Sequence, residues 1–121
     1  MRVEAKKYLF DIVHAAASAI SFTAGKTFTE YESDAMLRSA VERQLEIVGE
    51  ALAQLARVDP ATASSVSEYR RIIAFRNILI HGYAEIDQRI VWDVLNTKLP
   101  VVRSEAEALL GSSAADTGGQ Q

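Results

Sequence analysis

This sequence predicts an all-α protein, an up-down four-helix bundle whose last helix is kinked or split, and three observations lead there. Apolar residues recur three and four positions apart through four separate stretches, which is the period of one face of an α-helix. No stretch shows the strict alternation of a half-buried strand. Only two prolines and six glycines interrupt 121 residues, so the regular elements run long and pack up-down through short loops.

The first helix is predicted over about Ala5 to Phe22, on the stripe Leu9, Ile12, Val13, Ala16, Ala19 and Ile20. His14 lies beside that stripe and reads as a partly buried structural histidine. Gly25-Lys26-Thr27 ends the helix and opens a loop that Phe28 and Tyr31 pack down. A second helix follows from Ser33 or Asp34, either of them a suitable N-cap, to about Arg57. Leu37, Val41, Leu45, Val48, Leu52 and Leu55 form its stripe, and Glu42, Glu46 and Glu50 recur on another face. Arg38 and Glu42 form an i,i+4 pair.

Asp59-Pro60 stops the second helix, and the small residues Ala61 to Ser65 form a loop. Ser65-Val66-Ser67-Glu68 matches a capping box, which starts the third helix near Val66. That helix ends at His81, with Gly82 as a left-handed C-cap. Asp87 reads as the N-cap of a fourth helix carrying Ile90, Val91, Val94, Leu95, Leu99 and Val102, and Pro100 kinks or splits it. Leu109 and Leu110 close the apolar pattern. Residues 1–111 therefore form one helical domain, and the small polar residues 112–121 form a disordered tail.

Composition narrows the function. Hydrophobic residues at 49% suffice for a packed core, and 24% charged residues are ordinary for a soluble domain. The absence of cysteine excludes disulfides and thiolate metal sites. No apolar run is long enough for a signal peptide or a membrane span, so the expected location is cytoplasmic, with no membrane partner. The net charge is −3, whereas nucleic-acid binders are usually basic, so any RNA contact must rest on a local patch.

The segment Arg70 to Tyr83, RRIIAFRNILIHGY, supplies that patch. It is a largely apolar helix that nevertheless carries Arg70, Arg71, Arg76, Asn77 and His81, with no acidic residue among them. Charge in an apolar helix is costly unless paired or used. At ~100° per residue, Asn77, Arg70 and His81 fall within ~140° of Arg76, with Ile73, Ala74 and Ile80 among them. Ile72, Phe75, Ile78 and Leu79 occupy the opposite arc and enter the protein's own core. The polar, apolar-flanked arc suits a subunit interface, and a homodimer is the simplest cover for it. On spacing alone, Arg76 could instead pair with Glu42 or Glu46 across the bundle, and His81 could be stabilised by the helix dipole. Glu46 and Glu50 could also meet Arg76 across a dimer interface, or face solvent.

Arg76-Asn77-Ile78-Leu79-Ile80-His81-Gly82-Tyr83 resembles the signature of HEPN domains, an Arg and a His separated by four to six residues. The His81-x-Tyr83 ending resembles the HepT branch, as do Ala40 to Ala51, AVERQLEIVGEA, and Val91-Trp92 followed by Leu99-Pro100. The resemblance implies a homodimeric HEPN-like bundle and a metal-independent endoribonuclease, with no cofactor. It implies that Arg76 and His81 form the catalytic pair, with Asn77 orienting the phosphate or the imidazole. Arg70 would hold flanking RNA backbone, and the RNA would be a tRNA or an mRNA. The resemblance further implies a toxin–antitoxin system, in which an MNT-type nucleotidyltransferase antitoxin transfers AMP to Tyr83. The alternative is a non-catalytic helical binding module that partners a minimal nucleotidyltransferase. The chain departs from the family at Tyr69, where Trp is usual, and at Ala74, where Gly is common.

Overall fold

The computed structural model describes residues 1–82 and 86–119. Among them every regular element is helical. α1 spans Val3–Thr23, α2 Phe28–Glu32, α3 Ala35–Val58, α4 Pro60–Ser64 and α5 Tyr69–His81. α6, Gln88–Asp93, runs through a π-helical turn, Val94–Lys98, into α7, Leu99–Gly119.

α1 packs along α3 on one side and α7 on the other, and α3 carries α5 on its far flank. The core lies where the stripes meet. Leu9 and Ile12 of α1, Val41, Val48, Leu52 and Leu55 of α3, and Leu95, Leu99 and Val102 of the last helix are all buried. Each such side chain contributes about 1.5–3 kcal/mol by leaving water. Tyr31 of α2 is buried beside Trp92, with ring centroids 5.1 Å apart, and its hydroxyl donates to Gln88 Oε1 at 2.5 Å. Gln88 in turn donates to Glu42 at 2.9 Å, so α2, α3 and α6 are tied by one polar chain. Burial, and then the Glu42 charge, push the Tyr31 hydroxyl well above its usual value.

The helix ends partly follow expectation. Asp34 caps α3 by accepting from Leu37 N–H at 3.0 Å, and Asp87 caps α6 by accepting from Arg89 N–H at 2.9 Å. The capping box is elsewhere than expected. It forms at Thr27 and Glu30, whereas Glu68 adopts a left-handed conformation with φ 56° and α5 begins only at Tyr69. The Glu68 carboxylate is drawn instead to Arg71 and to Lys98, each at 2.9 Å. Ala61 to Ser65 is not a plain loop either: Asp59 caps Thr62 and Pro60 starts α4, where its missing N–H costs nothing. Arg38 turns to the Glu32 carbonyl rather than to Glu42, which is engaged with Gln88.

Pro100 segments the last helix as expected. It lacks an N–H and its ring crowds the carbonyl four residues back. The preceding turn widens, so that Leu99 N–H reaches Val94 O, five residues back, and the helix then passes through the proline. The α7 backbone stays helical beyond Ser112 to Gly119. Three side chains depart from their predicted settings. His14 is exposed and lies against Phe10, with ring centroids 4.2 Å apart, because α1 buries only the arc facing α3 and α7. Ile90 and Ile78 are exposed, since α6 and α5 each turn those positions away from the core.

Candidate active site

α5 brings the polar motif to the flank of α3. Gly82 ends the helix without the expected left-handed conformation: its φ is −107°, and its N–H donates to Ile78 O at 2.7 Å. The glycine is required by space, because a Cβ there would lie 2.9 Å from Ile78 O. Leu79 is the one buried residue of α5.

Arg76 is the half-buried centre of the site. One terminal nitrogen, Nη2, ion-pairs with Glu50 Oε2 of α3. The other, Nη1, donates to Asn77 Oδ1 at 2.6 Å. Its Nε is buried and has no hydrogen-bond partner among the described residues. Glu50 also accepts from Gln54 Nε2 at 3.0 Å. The Gln54 hydrogen bond first, and then Arg76, hold the Glu50 carboxyl below the usual carboxylate range. The guanidinium therefore lies fixed in a plane set by two helices, at the wall of a cleft of about 390 Å³. Lys7, Tyr8 and Asp11 of α1, Arg43 and Glu46 of α3, and Ile80 of α5 share that wall.

The Arg76 partner is thus Glu50 of the same chain, and neither Glu42 nor Glu46 takes that place. One sequence signal pointed there: Gly49, immediately before Glu50, is a glycine in a helix interior, which calls for a packing reason. Asn77 and His81 are exposed, His81 being the last residue of α5. Arg70 is exposed on the same side, and its Nε donates to the Tyr69 hydroxyl at 3.1 Å while its guanidinium lies over the Tyr69 ring. Arg71 is tied to Glu68 at the opposite edge. Tyr83 lies outside the described residues. Among the described residues no group of three or more metal-ligating side chains converges, and no helix is long and apolar enough to cross a membrane.

A model of the ribonuclease HepT-like family matches residues 12–109, which takes in α3, the π turn and every polar residue of α5. The chain belongs to that family. Ribonuclease is accordingly its enzyme class. Three curated relatives are similar to the chain over nearly their whole length. The chain is 33% identical over 104 residues to the candidate RNase MJ1380 of Methanocaldococcus jannaschii, covering 86% of this chain and 94% of that one. It is 30% identical over 109 residues to a candidate ribonuclease HepT of Thermococcus cleftensis, covering 90% and 98%. It is 29% identical over 105 residues to the candidate RNase TTE0752 of Caldanaerobacter subterraneus, covering 87% and 93%. No solved structure matches the chain. In this HepT-like protein the motif Arg76-Asn77-x3-His81 lies entirely on α5, within the matched region.

Proposed function

We propose that this HepT-like protein is the toxin of a toxin–antitoxin pair, a metal-independent endoribonuclease that works in the cytoplasm as a homodimer of four-helix bundles. The observation that carries the reading is the Arg76 guanidinium, immobilised between Glu50 and Asn77 at a cleft wall, on the same helix as an exposed His81. Arg70 stands exposed on that side to hold flanking RNA backbone, whether of a tRNA or an mRNA.

The chemistry follows from the groups present. Histidine titrates near neutrality and can take or give a proton. His81 of one subunit removes the proton from the RNA 2′-OH, whose oxygen forms a bond to the adjacent phosphorus. The bond from phosphorus to the 5′-oxygen breaks, and that oxygen takes a proton from His81 of the partner subunit. A 2′,3′-cyclic phosphate and a 5′-hydroxyl remain. The guanidinium of Arg76 neutralises the charge gathered on the phosphorane-like oxygens. Exposed Ile78 and Ile80 on α5 support a twin docked along this helix, which brings two Arg–His pairs into one groove.

A nucleotidyltransferase antitoxin restrains the enzyme. The Tyr83 hydroxyl attacks the α-phosphorus of ATP, pyrophosphate leaves, and the AMP-tyrosine adds negative phosphate two residues past His81 in the chain, which repels RNA. One observation favours a second reading: Arg76 already has two partners, as a structural or gripping arginine would. In that reading the protein is a non-catalytic module that partners the transferase.

Purified protein incubated with total RNA separates the two. The toxin reading expects cleavage that both Arg76→Ala and His81→Ala abolish, while cleavage surviving in both variants refutes the assignment. Mass spectrometry after incubation with the antitoxin and ATP tests the regulation, and an unmodified Tyr83 ends that part of the proposal.

A further inference from the structure

α3 carries one glycine in its 24 residues, and it lies against α5. Glycine in a helix interior destabilises by about 1 kcal/mol relative to alanine, so its presence needs a reason. The reason is visible in the packing. A Cβ built on Gly49 would lie 2.3 Å from the Cβ of Arg76 and 2.8 Å from its Cγ. By contrast, a Cβ on Gly111 would meet nothing within 4 Å. The obstructing Arg76 Cβ is fixed to the α5 backbone, so no rotamer change can move it aside.

We propose that Gly49 is a positioning residue for Arg76. Its missing side chain sets the α3–α5 separation at which the guanidinium meets Glu50 and Asn77, and the inference builds on the catalytic role proposed above for Arg76. An alanine at position 49 must drive the Arg76 Cβ back to ordinary contact at about 3.5–4.0 Å, a displacement of roughly 1.5 Å. Two features decide what yields. α5 fully buries only Leu79 and rests Tyr69, Ile72, Ile73 and Phe75 half-buried against the core, whereas α3 is locked to α1 through Leu52, Leu55 and the other fully buried residues. α5 therefore shifts outward as a unit, and the core stays closed. The shift takes Arg76 off Glu50, and a misplacement of about 1 Å at a reacting centre is enough to lower turnover ~100-fold.

The test compares Gly49→Ala, Glu50→Gln, the double variant and Gly111→Ala in the full-length chain. Circular dichroism and thermal melting report folding, RNA cleavage gives kcat and KM, and the ¹⁵N-edited spectrum follows the buried Arg76 Nε–H, assigned by its loss in Arg76→Lys. Gly49→Ala is expected to remain folded, to lose kcat by about 100-fold with a smaller change in KM, and to lose the solvent protection of Arg76 Nε–H. Glu50→Gln should lower kcat in the wild-type background and add nothing in the Gly49→Ala background, while Gly111→Ala matches the wild type. Wild-type kcat and an unshifted Arg76 Nε–H in Gly49→Ala overturn the proposal, as do additive effects of the two substitutions. A Gly49→Ala chain that fails to fold overturns it as well, because the core, and not α5, would then have taken up the clash. Failure of the wild type to cleave RNA would refute the ribonuclease reading separately, and the Nε–H signal would still decide the role of Gly49.

Discussion

α3 and α5 lie side by side yet spend their surfaces very differently. α3 sends Val41, Leu45, Val48, Leu52 and Leu55 into a core shared with α1 and α7. α5 fully buries Leu79 alone, half-buries Ile72, Ile73 and Phe75, and leaves Asn77, Ile78, Ile80 and His81 exposed. A helix anchored by many buried side chains is held by the hydrophobic effect, and its position tolerates little change. A helix held by one buried leucine, four half-buried side chains (Tyr69, Ile72, Ile73 and Phe75), one ion pair and one glycine contact keeps its outer face for something else. The contrast teaches that stability and the motif are carried by different helices, joined at the Gly49–Glu50 seam.

The largest break in that contrast comes from the core side. Leu52→Ala should lower the unfolding free energy by about 2–5 kcal/mol in urea titration, with RNA cleavage per folded molecule unchanged. Leu79→Ala should fall near the lower end of that range, about 2 kcal/mol, because α5 can settle into the space. A loss as large as that at Leu52 would show α5 to be part of the core after all.

The seam itself is sharpened by pH. The folded-state pKa of Glu50 lies below its ordinary 4.5, so the unfolded chain takes up the proton first as pH falls. The stabilisation is complete above pH 4.5 and fades as pH drops through the lower, folded value. Wild type should therefore exceed Glu50→Gln in stability at pH 7, by a small margin since the Glu50 side chain is 46% exposed, and the two should converge in acid. A margin that persists below that range would trace the effect to something other than the carboxylate charge. The smallest effect belongs to Ile78, which is 55% exposed where neighbouring Leu79 is 5% exposed. Ile78→Ala should alter monomer stability by less than about 0.5 kcal/mol. Sedimentation should show weaker self-association if a twin docks along α5.

Much of this molecule was legible in its order of residues. The long helices, the Asp34 and Asp87 caps and the irregular turn just before Pro100 all follow from rules that act within one or two turns of chain. The motif residues were legible for the same reason, since Arg76, Asn77 and His81 stand at fixed spacing on one helix. Local rules failed where a distant group competed. Glu68 matched a capping box, but Lys98, thirty positions along the chain, and Arg71 took its carboxylate. Ile78 matched an inward arc, but α5 meets α3 along a narrower strip than its apolar residues could cover.

The sequence by itself determined the long helical segments and which side chains share a helix face, though not the short helices α2 and α4 that it read as loops, because helical periodicity and capping are properties of neighbouring residues. Only the tertiary structure decided that Arg76 pairs with Glu50 rather than Glu42 or Glu46, that Gly49 is the point of closest approach, and that Ile78 faces outward. Those outcomes depend on the distance and rotation between two packed helices, which are set by every side chain in the seam at once and by none of them alone.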